Sequence, residues 1–260
     1  MDKAHLTLDI LISTMAPKVD SITEMMLPKR EGVRYILSVQ YTTDEPPVLP
    51  ALITSRTDVT IGFLQGTGLS RNRNNTIRMS GADICLIADD DNRYKPEDID
   101  TILNSWNENP DADILTFMAQ TYDGNPLHTY PAPYVCSQEI TLRRESIISK
   151  SVHFDERFGL GSPLLCAGEE DVFIHDARKA GLTIKFIPKV IVRTYKFTTG
   201  MRFLTDSKVQ ITKGATFRYI YGTRNAIWRS FKEAGWYLFH KGANPFPILF
   251  NMLKGIWILQ

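Results

Sequence analysis

Asp89, Asp90 and Asp91 stand side by side directly after Ile84-Cys85-Leu86-Ile87-Ala88, an apolar run as long as a buried strand. Such a run, lacking alternation, suits the interior of a parallel sheet covered on both faces. Ligands of open α/β sheets bind just beyond the carboxyl ends of strands. Three adjacent carboxylates there repel one another unless a cation or a positive group neutralises them. Oxygen-only ligation suits a hard divalent ion, Mg2+ or Mn2+, which in turn suits a phosphate-bearing substrate. An extended turn aims Asp89 and Asp91 one way and Asp90 the other. In that arrangement Asp91 holds the metal, Asp89 or Asp90 reaches a ribose hydroxyl, and the metal offsets charge developing on a diphosphate. The plainer alternative is a solvated acidic turn after a core strand.

Two further constellations accompany the triplet. In Gly68-Leu69-Ser70-Arg71-Asn72-Arg73-Asn74-Asn75 a glycine turn feeds a helix whose free N-terminal N–H groups favour anions. Arg71 and Arg73 oppose the helix dipole there, a cost that an anionic ligand gripped by the guanidinium fork would offset. Two ordinary surface arginines are the other reading. Gly168-Glu169-Glu170-Asp171 opens a second helix behind a glycine-rich loop, Phe158-Gly159-Leu160-Gly161-Ser162-Pro163. Acidic residues commonly open helices. A second carboxylate group near a metal site is also what a base-assisted displacement needs. The five histidines show no metal spacing; His175 lies one turn after Asp171 and could orient it, with an ordinary surface histidine as the favoured reading. No GxSxG, HExxH or Walker sequence is present, which argues against the hydrolase, zinc-protease and P-loop classes.

The elements that must position these residues alternate strand and helix at short spacing, the signature of a doubly wound α/β sheet. Strands are expected at 6–14, 35–40, 59–63, 84–88 and 114–118, and less regularly at 138–142, 183–187 and 190–195, the last two around Pro188. Helices are expected around 21–27, from a cap at Ser70 to about 80, from Pro96 to about 108, and over 169–180 with Gly181 ending it. Residues 44–50 read as a loop, and the Pro-bearing stretch 121–137 as a loop or a hairpin excursion. The 158–163 loop reads as a mobile lid.

At 260 residues, 43% of them hydrophobic, the chain suits one large α/β domain or a domain with an appendage. A net charge of +1 without a basic tract gives no sign of a nucleic-acid partner. Three dispersed cysteines, Cys85, Cys136 and Cys166, fit a reducing cytosol. Residues 1–5 lack the apolar core of a signal peptide. No stretch offers the roughly 20 uninterrupted apolar residues of a membrane span. The C-terminal tail is aromatic-rich with basic punctuation by Lys241 and Lys254. It suits an interfacial membrane helix or a dimer contact, with a core-packing helix as the alternative.

In this order and spacing, the motifs resemble the family-2 inverting glycosyltransferases of the GT-A fold, of the bacterial polysaccharide and glycan-assembly type. The resemblance is carried by Leu8-Asp9-Ile10-Leu11-Ile12-Ser13-Thr14-Met15, by Gly68 to Asn74, by Ala82 to Asp91, by Phe154-Asp155-Glu156-Arg157 with the loop behind it, and by Gly168-Glu169-Glu170-Asp171. It extends through Thr198-Thr199-Gly200 and Lys213-Gly214-Ala215. It implies a Rossmann-like, doubly wound, mostly parallel sheet flanked by helices over residues 1–220, with a helical, aromatic-rich appendage over 221–260. It implies a nucleotide-sugar donor, usually a UDP-sugar, contacted by Ser13, Thr14, Met15, Gln40, Ser70, Arg73, Asn74, Asp89 and Asp90. Asp91, with Asp89, becomes the ligand of Mn2+ or Mg2+. Asp171 becomes the catalytic base, with Glu170 the second candidate. The acceptor is a glycan or lipid-linked saccharide, and the expected location is cytoplasmic, peripheral on the cytoplasmic face of the inner membrane.

Two departures from the family pattern are visible. Many relatives end the second strand with an Asp-containing sequence; here Gln40 stands there and can pair with uracil edges. Many place a histidine after the last sheet strand; here Arg193 or Lys196 could take the diphosphate charge instead. The rival readings are a sugar nucleotidyltransferase, against which the glycine-free Ser13-Thr14-Met15-Ala16-Pro17-Lys18 speaks, and a non-catalytic carbohydrate- or nucleotide-binding protein of the same fold.

Overall fold

The largely apolar runs of the first half become the middle of a sheet, and a charged side chain they carry, Asp9, finds its partners inside the protein. In the computed structural model, β1 (Leu8–Met15), β2 (Val33–Tyr41), β3 (Val59–Gln65) and β4 (Ile84–Asp89) are mutually parallel, and β1, β2 and β4 are buried along nearly their whole length. Residues 6–130, 134–196 and 199–259 are described. Residues 1–5, Pro131 and Pro133 of the loop, Thr198 of the motif at 198–200, and Gln260 lie outside the described residues. With β5 (Ile114–Thr121), β6 (Ile140–Arg143) and β7 (Ile184–Thr194), the sheet has seven strands in the order β3-β2-β1-β4-β6-β5-β7. Only β6 is antiparallel, to both β4 and β5. The chain winds outward from β1 through β2 to β3, then returns to lay β4 on the other side of β1. The switch in winding therefore falls between β1 and β4, where doubly wound sheets open a ligand crevice at the carboxyl ends.

The helices are α1 (Ala51–Thr54), α2 (Leu69–Met79), α3 (Pro96–Glu108), α4 (Arg144–Ser149), α5 (Glu169–Lys179), α6 (Ser207–Lys241) and α7 (Pro245–Ile258). Pro96 opens α3, and Asp98 accepts the Lys95 backbone N–H at 2.6 Å. Trp106 of α3 is fully buried against the sheet and donates to Thr141 Oγ1 at 2.9 Å. Asp9 of β1, also fully buried, is satisfied by Arg34 in a two-pronged pair and by Ser80 Oγ at 2.7 Å, so it is structural.

Several expectations shift. The helix expected at 21–27 is a 3-10 helix over Ala16–Met25, with Pro17 in its first turn. The two strands expected around Pro188 form one edge strand, β7; its ladder with β5 slips between Thr116 and Ala119. An edge position tolerates a proline because its missing N–H costs no central hydrogen bond. The strand expected at 138–142 begins two residues later, after a 3-10 turn at Ser137–Glu139. Helices α1 and α4 are additions.

The chain divides into two compact units. Met1–Thr67, Arg71–His153 and Asp176–Lys196 form the first and hold the whole sheet; Gly68–Ser70, Phe154–His175 and Phe197–Gln260 form the second. In the second unit α6 and α7 meet backbone to backbone: a Cβ on Gly214 would lie 1.9 Å from Met252 O, and one on Gly255 1.9 Å from Ile211 O. Val209, Ala234, Ile248 and Met252 close a small core around that crossing. Position 220 falls within α6, next to a kink at Gly222, whose φ of 75° and ψ of 167° only glycine adopts readily.

Candidate functional site

In the first unit the carboxyl ends of β1, β2 and β4 are in register. Ser13 lies opposite both Ser38 and Asp89, and Met15 opposite Gln40. Ser13, Thr14, Gln40 and Asp89 thus share the open end of the sheet at the switch point because parallel pairing stacks equal positions of successive strands. Ser13, Thr14 and Gln40 are buried.

The three carboxylates go to different partners. Asp89 accepts Arg73 NH2 at 2.9 Å on one oxygen and Ser137 Oγ at 3.0 Å on the other, and Arg73 also donates to Ser137 Oγ at 2.7 Å. Asp90 is buried; Thr14 Oγ1 donates to it at 2.8 Å and Lys18 Nζ at 3.3 Å. Asp91 makes no ion pair among the described residues, and Asn92 Nδ2 reaches it at a long 3.4 Å. Burial first, then the charges of Asp89 and Asp90, push its carboxyl above the usual carboxylate range despite Lys18. Around this end Ser13 Oγ and Asn72 Oδ1 are buried without a hydrogen-bond partner among the described residues, whereas Asn72 Nδ2 ties the carbonyls of Thr14 and Ser38 at 3.1 Å each. An unneutralised carboxylate together with orphaned oxygens is the donor set a hard divalent cation and a polyhydroxylated ligand satisfy.

Arg73 differs from the expected open phosphate fork. Its side chain is 2% exposed and turned inward onto Asp89, because a helix interior position three residues past Ser70 faces the sheet rather than the solvent. Asn74 is buried beside it. Arg193 is paired with Asp98 of α3, which leaves Lys196 as the exposed cation of that segment. Ser137 and Lys18 have no signal in the local sequence; Ser137 lies 48 residues from the Asp89 it holds.

A second cluster also escaped the sequence pattern. His128, Cys136 and Glu139 bring their ligand atoms within 4.8 Å of one another. Glu139, fully buried, accepts from Tyr130 OH, from Ala119 N at 3.2 Å, from Cys136 N at 2.8 Å and from His128 Nε2. Burial opposes the charging of His128, but the hydrogen bond and charge of Glu139 prevail and raise its pKa. With the carboxylate oxygens already filled, the cluster behaves as a hydrogen-bonded knot.

In the second unit Ser70 is the second residue of α2 rather than its cap. Its hydroxyl donates to Phe158 O at 2.6 Å, and Leu69 N donates to Leu160 O at 2.8 Å. The start of the glycine loop is therefore tied down, with Phe158 fully buried, while Leu160 and the residues after it are more open. Gly168, at φ +83°, leads into α5; a Cβ there would meet Thr216 Oγ1 at 2.4 Å. On the first turn of α5 Glu169 is buried, and Glu170 and Asp171 are half-buried. Desolvation pushes the Asp171 carboxyl up to about 6, with Lys213 pulling it down and Glu170 pushing it up. A carboxylate so tuned is still largely ionised at neutral pH and yet basic enough to take a proton.

The glycosyl transferase family 2 profile matches residues 48–161. No curated protein matches the sequence. Among solved structures, S. aureus TarS aligns with a TM-score of 0.54 at 14% identity, over 91% of this chain and 44% of that one. This chain thus spans less than half of that TarS chain. S. aureus TarS 1–349 in complex with UDP-GlcNAc gives 0.56 at 11% identity, over 96% and 90%. The mannosyltransferase PcManGT from Pyrobaculum calidifontis, in complex with GDP-Man and Mn2+, gives 0.53 at 14%, over 97% and 70%. At these identities the likeness establishes the fold, which is that of the GT-A glycosyltransferases.

Proposed function

We propose that this chain moves a sugar from a nucleotide-sugar donor to a hydroxyl of a glycan or lipid-linked saccharide by a single inverting displacement, a reading supported by the match of residues 48–161 to the glycosyl transferase family 2 profile and by the fold shared with TarS and PcManGT. The observation that carries the reading is the acidic triplet at the switch point, in which Asp89 and Asp90 have cationic partners and Asp91 has none among the described residues. Asp91, with Asp89, would hold Mn2+ or Mg2+. When bound, the ion supplies Lewis-acid neutralisation of the diphosphate leaving group.

Asp89, fixed by Arg73 and Ser137, and Asp90, fixed by Thr14 and Lys18, offer acceptor oxygens to the ribose hydroxyls of the nucleotide. Arg73 serves by orienting Asp89. Ser13, Thr14 and Met15 line the nucleotide, and Gln40 offers its amide to the base; a UDP-sugar is the donor we favour, supported by the UDP-GlcNAc complex of TarS. Ser70 contributes by holding the loop at Phe158. Asp171 accepts the proton of the acceptor hydroxyl, that oxygen bonds to the anomeric carbon, and the bond to the diphosphate oxygen breaks. Glu170 is the second candidate for the base. Residues 1–220 act as the catalytic part and 221–260 as an appended helical segment in peripheral contact with a membrane.

The test is binding and hydrolysis of UDP-, GDP- and dTDP-sugars with Mn2+, Mg2+ or chelator, on wild type and Asp91→Ala. Metal-dependent binding of one nucleotide sugar, lost in Asp91→Ala, is the expected result. Binding without turnover for any acceptor would favour the non-catalytic reading, and no binding at all would overturn the proposal.

A further inference from the structure

The last two helices are dressed the wrong way round for water. Along α6, Arg224, Trp228, Phe231, Lys232 and Phe239 recur at helical spacing on one face, and all are exposed, Phe239 at 83%. The opposite face is small and buried: Ala226, Ser230 and Ala234. Along α7, Phe246, Phe250, Lys254 and Trp257 form a second exposed stripe, with Phe246 at 78% and Phe250 at 70%. The α7 face turned inward carries Ile248, Met252, Gly255 and Ile256. Scattered exposed apolar residues are ordinary, but aligned aromatic stripes mark a surface that meets something.

Charge decides what that something is. Residues 207–260 hold eight Lys or Arg against one acidic residue, Glu233, a net of +7; in a chain of net +1 the remainder is −6. Two copies meeting through this face would oppose like charges. An anionic surface would be attracted, its headgroups reached by Arg224, Lys232 and Lys254 while the rings enter the acyl boundary. No helix among the described residues is long and apolar enough to cross a membrane.

We infer that the exposed aromatic–basic stripes of α6 and α7 are a docking surface for an anionic phospholipid bilayer. This inference deepens the membrane contact in the proposed function and rests on that part of it. Deleting α7 would strip the core it shares with α6, so the test uses exposed side chains. The full chain is sedimented with vesicles of phosphatidylcholine alone or with one-third phosphatidylglycerol, at low and high salt. The variants are Phe231→Ser/Phe239→Ser, Phe246→Ser/Phe250→Ser and Arg224→Gln/Lys232→Gln/Lys254→Gln, each checked by thermal melting and nucleotide-sugar binding.

Wild type should sediment with the phosphatidylglycerol vesicles and be released by salt. Each neutralised base should weaken partition about fivefold, and each aromatic pair at least about tenfold. Single variants, Phe239→Ser and Phe246→Ser, replace any pair that does not fold. Failure of wild type to sediment, unchanged sedimentation of the folded aromatic variants, or a dimer in solution that those variants convert to monomer would each overturn the inference. Vesicle binding with no donor binding would leave this inference standing and sink the glycosyl-transfer reading instead.

Discussion

Replacing Asp171 by Asn should stabilise the protein while removing its turnover, and the two effects share one cause. Desolvation lifts the Asp171 carboxyl from 3.8 to about 6. Holding it ionised in the fold therefore costs up to about 3 kcal/mol relative to the unfolded chain. The sign follows from proton binding. Between pH 3.8 and about 6 the folded protein binds more protons at this residue than the unfolded chain, so stability falls as pH rises through that window and stays low above it. Asn is neutral throughout and avoids the loss. At pH 8 the variant should melt higher, by up to about 6–12 °C, and even a third of the effect gives about 2–4 °C. At pH 4 the two proteins should melt together. Transfer should drop by about 10²–10⁴ in the variant, and wild-type kcat/KM should fall about tenfold per pH unit below 6. Thermal melts across pH 4–8, run beside a nucleotide-sugar turnover assay, measure both. A variant whose melting advantage over wild type is no larger at pH 8 than at pH 4, or one that keeps its activity, would refute the assignment of Asp171 as a desolvated base.

Arg73→Met leaves Asp89 without its cationic partner; with Arg73 buried and Asp89 partly exposed, the loss should be about 3 kcal/mol in denaturant unfolding, with weaker donor binding in addition. Gly255→Ala drives a Cβ into Ile211 O and should cost about 2–3 kcal/mol despite the helical gain of alanine. Gly168→Ala should cost about 1–3 kcal/mol through its positive φ and the contact with Thr216; Thr216→Ala in the same chain should recover the steric part alone. Asp91→Asn should remove the dependence of donor binding on Mn2+ or Mg2+ while leaving the melting temperature level or slightly higher, because the fold gives this carboxylate no ion pair among the described residues, a result readable by calorimetric titration with and without chelator.

The sheet was legible because burial on both faces demands strongly apolar runs; residues 84–88 supply an unbroken one, and 6–14 and 35–40 supply runs with only a few polar residues. Pro96 and Gly181 marked a helix start and a helix end within a residue or so, since their constraints are local. Pro188 misled for the same reason. It signals a break locally, yet an edge strand whose ladder slips beside it can keep it. Ser70 has the residue type of a cap, but a carbonyl distant in sequence, that of Phe158, takes its hydroxyl.

What the amino-acid sequence determined by itself is the set of parts: a parallel α/β sheet, three carboxylates at the end of a strand, an acidic helix start and an aromatic, basic tail. Each follows from hydrophobic patterning and backbone preferences acting over a few residues. Only the tertiary structure decided which part each charge serves. Arg73 turned from an open fork to the keeper of Asp89, Ser137 entered from 48 residues away, and Asp91 was left as the carboxylate of the triplet without an ion pair among the described residues. Ion pairing and desolvation depend on distances through space, which chain spacing does not encode.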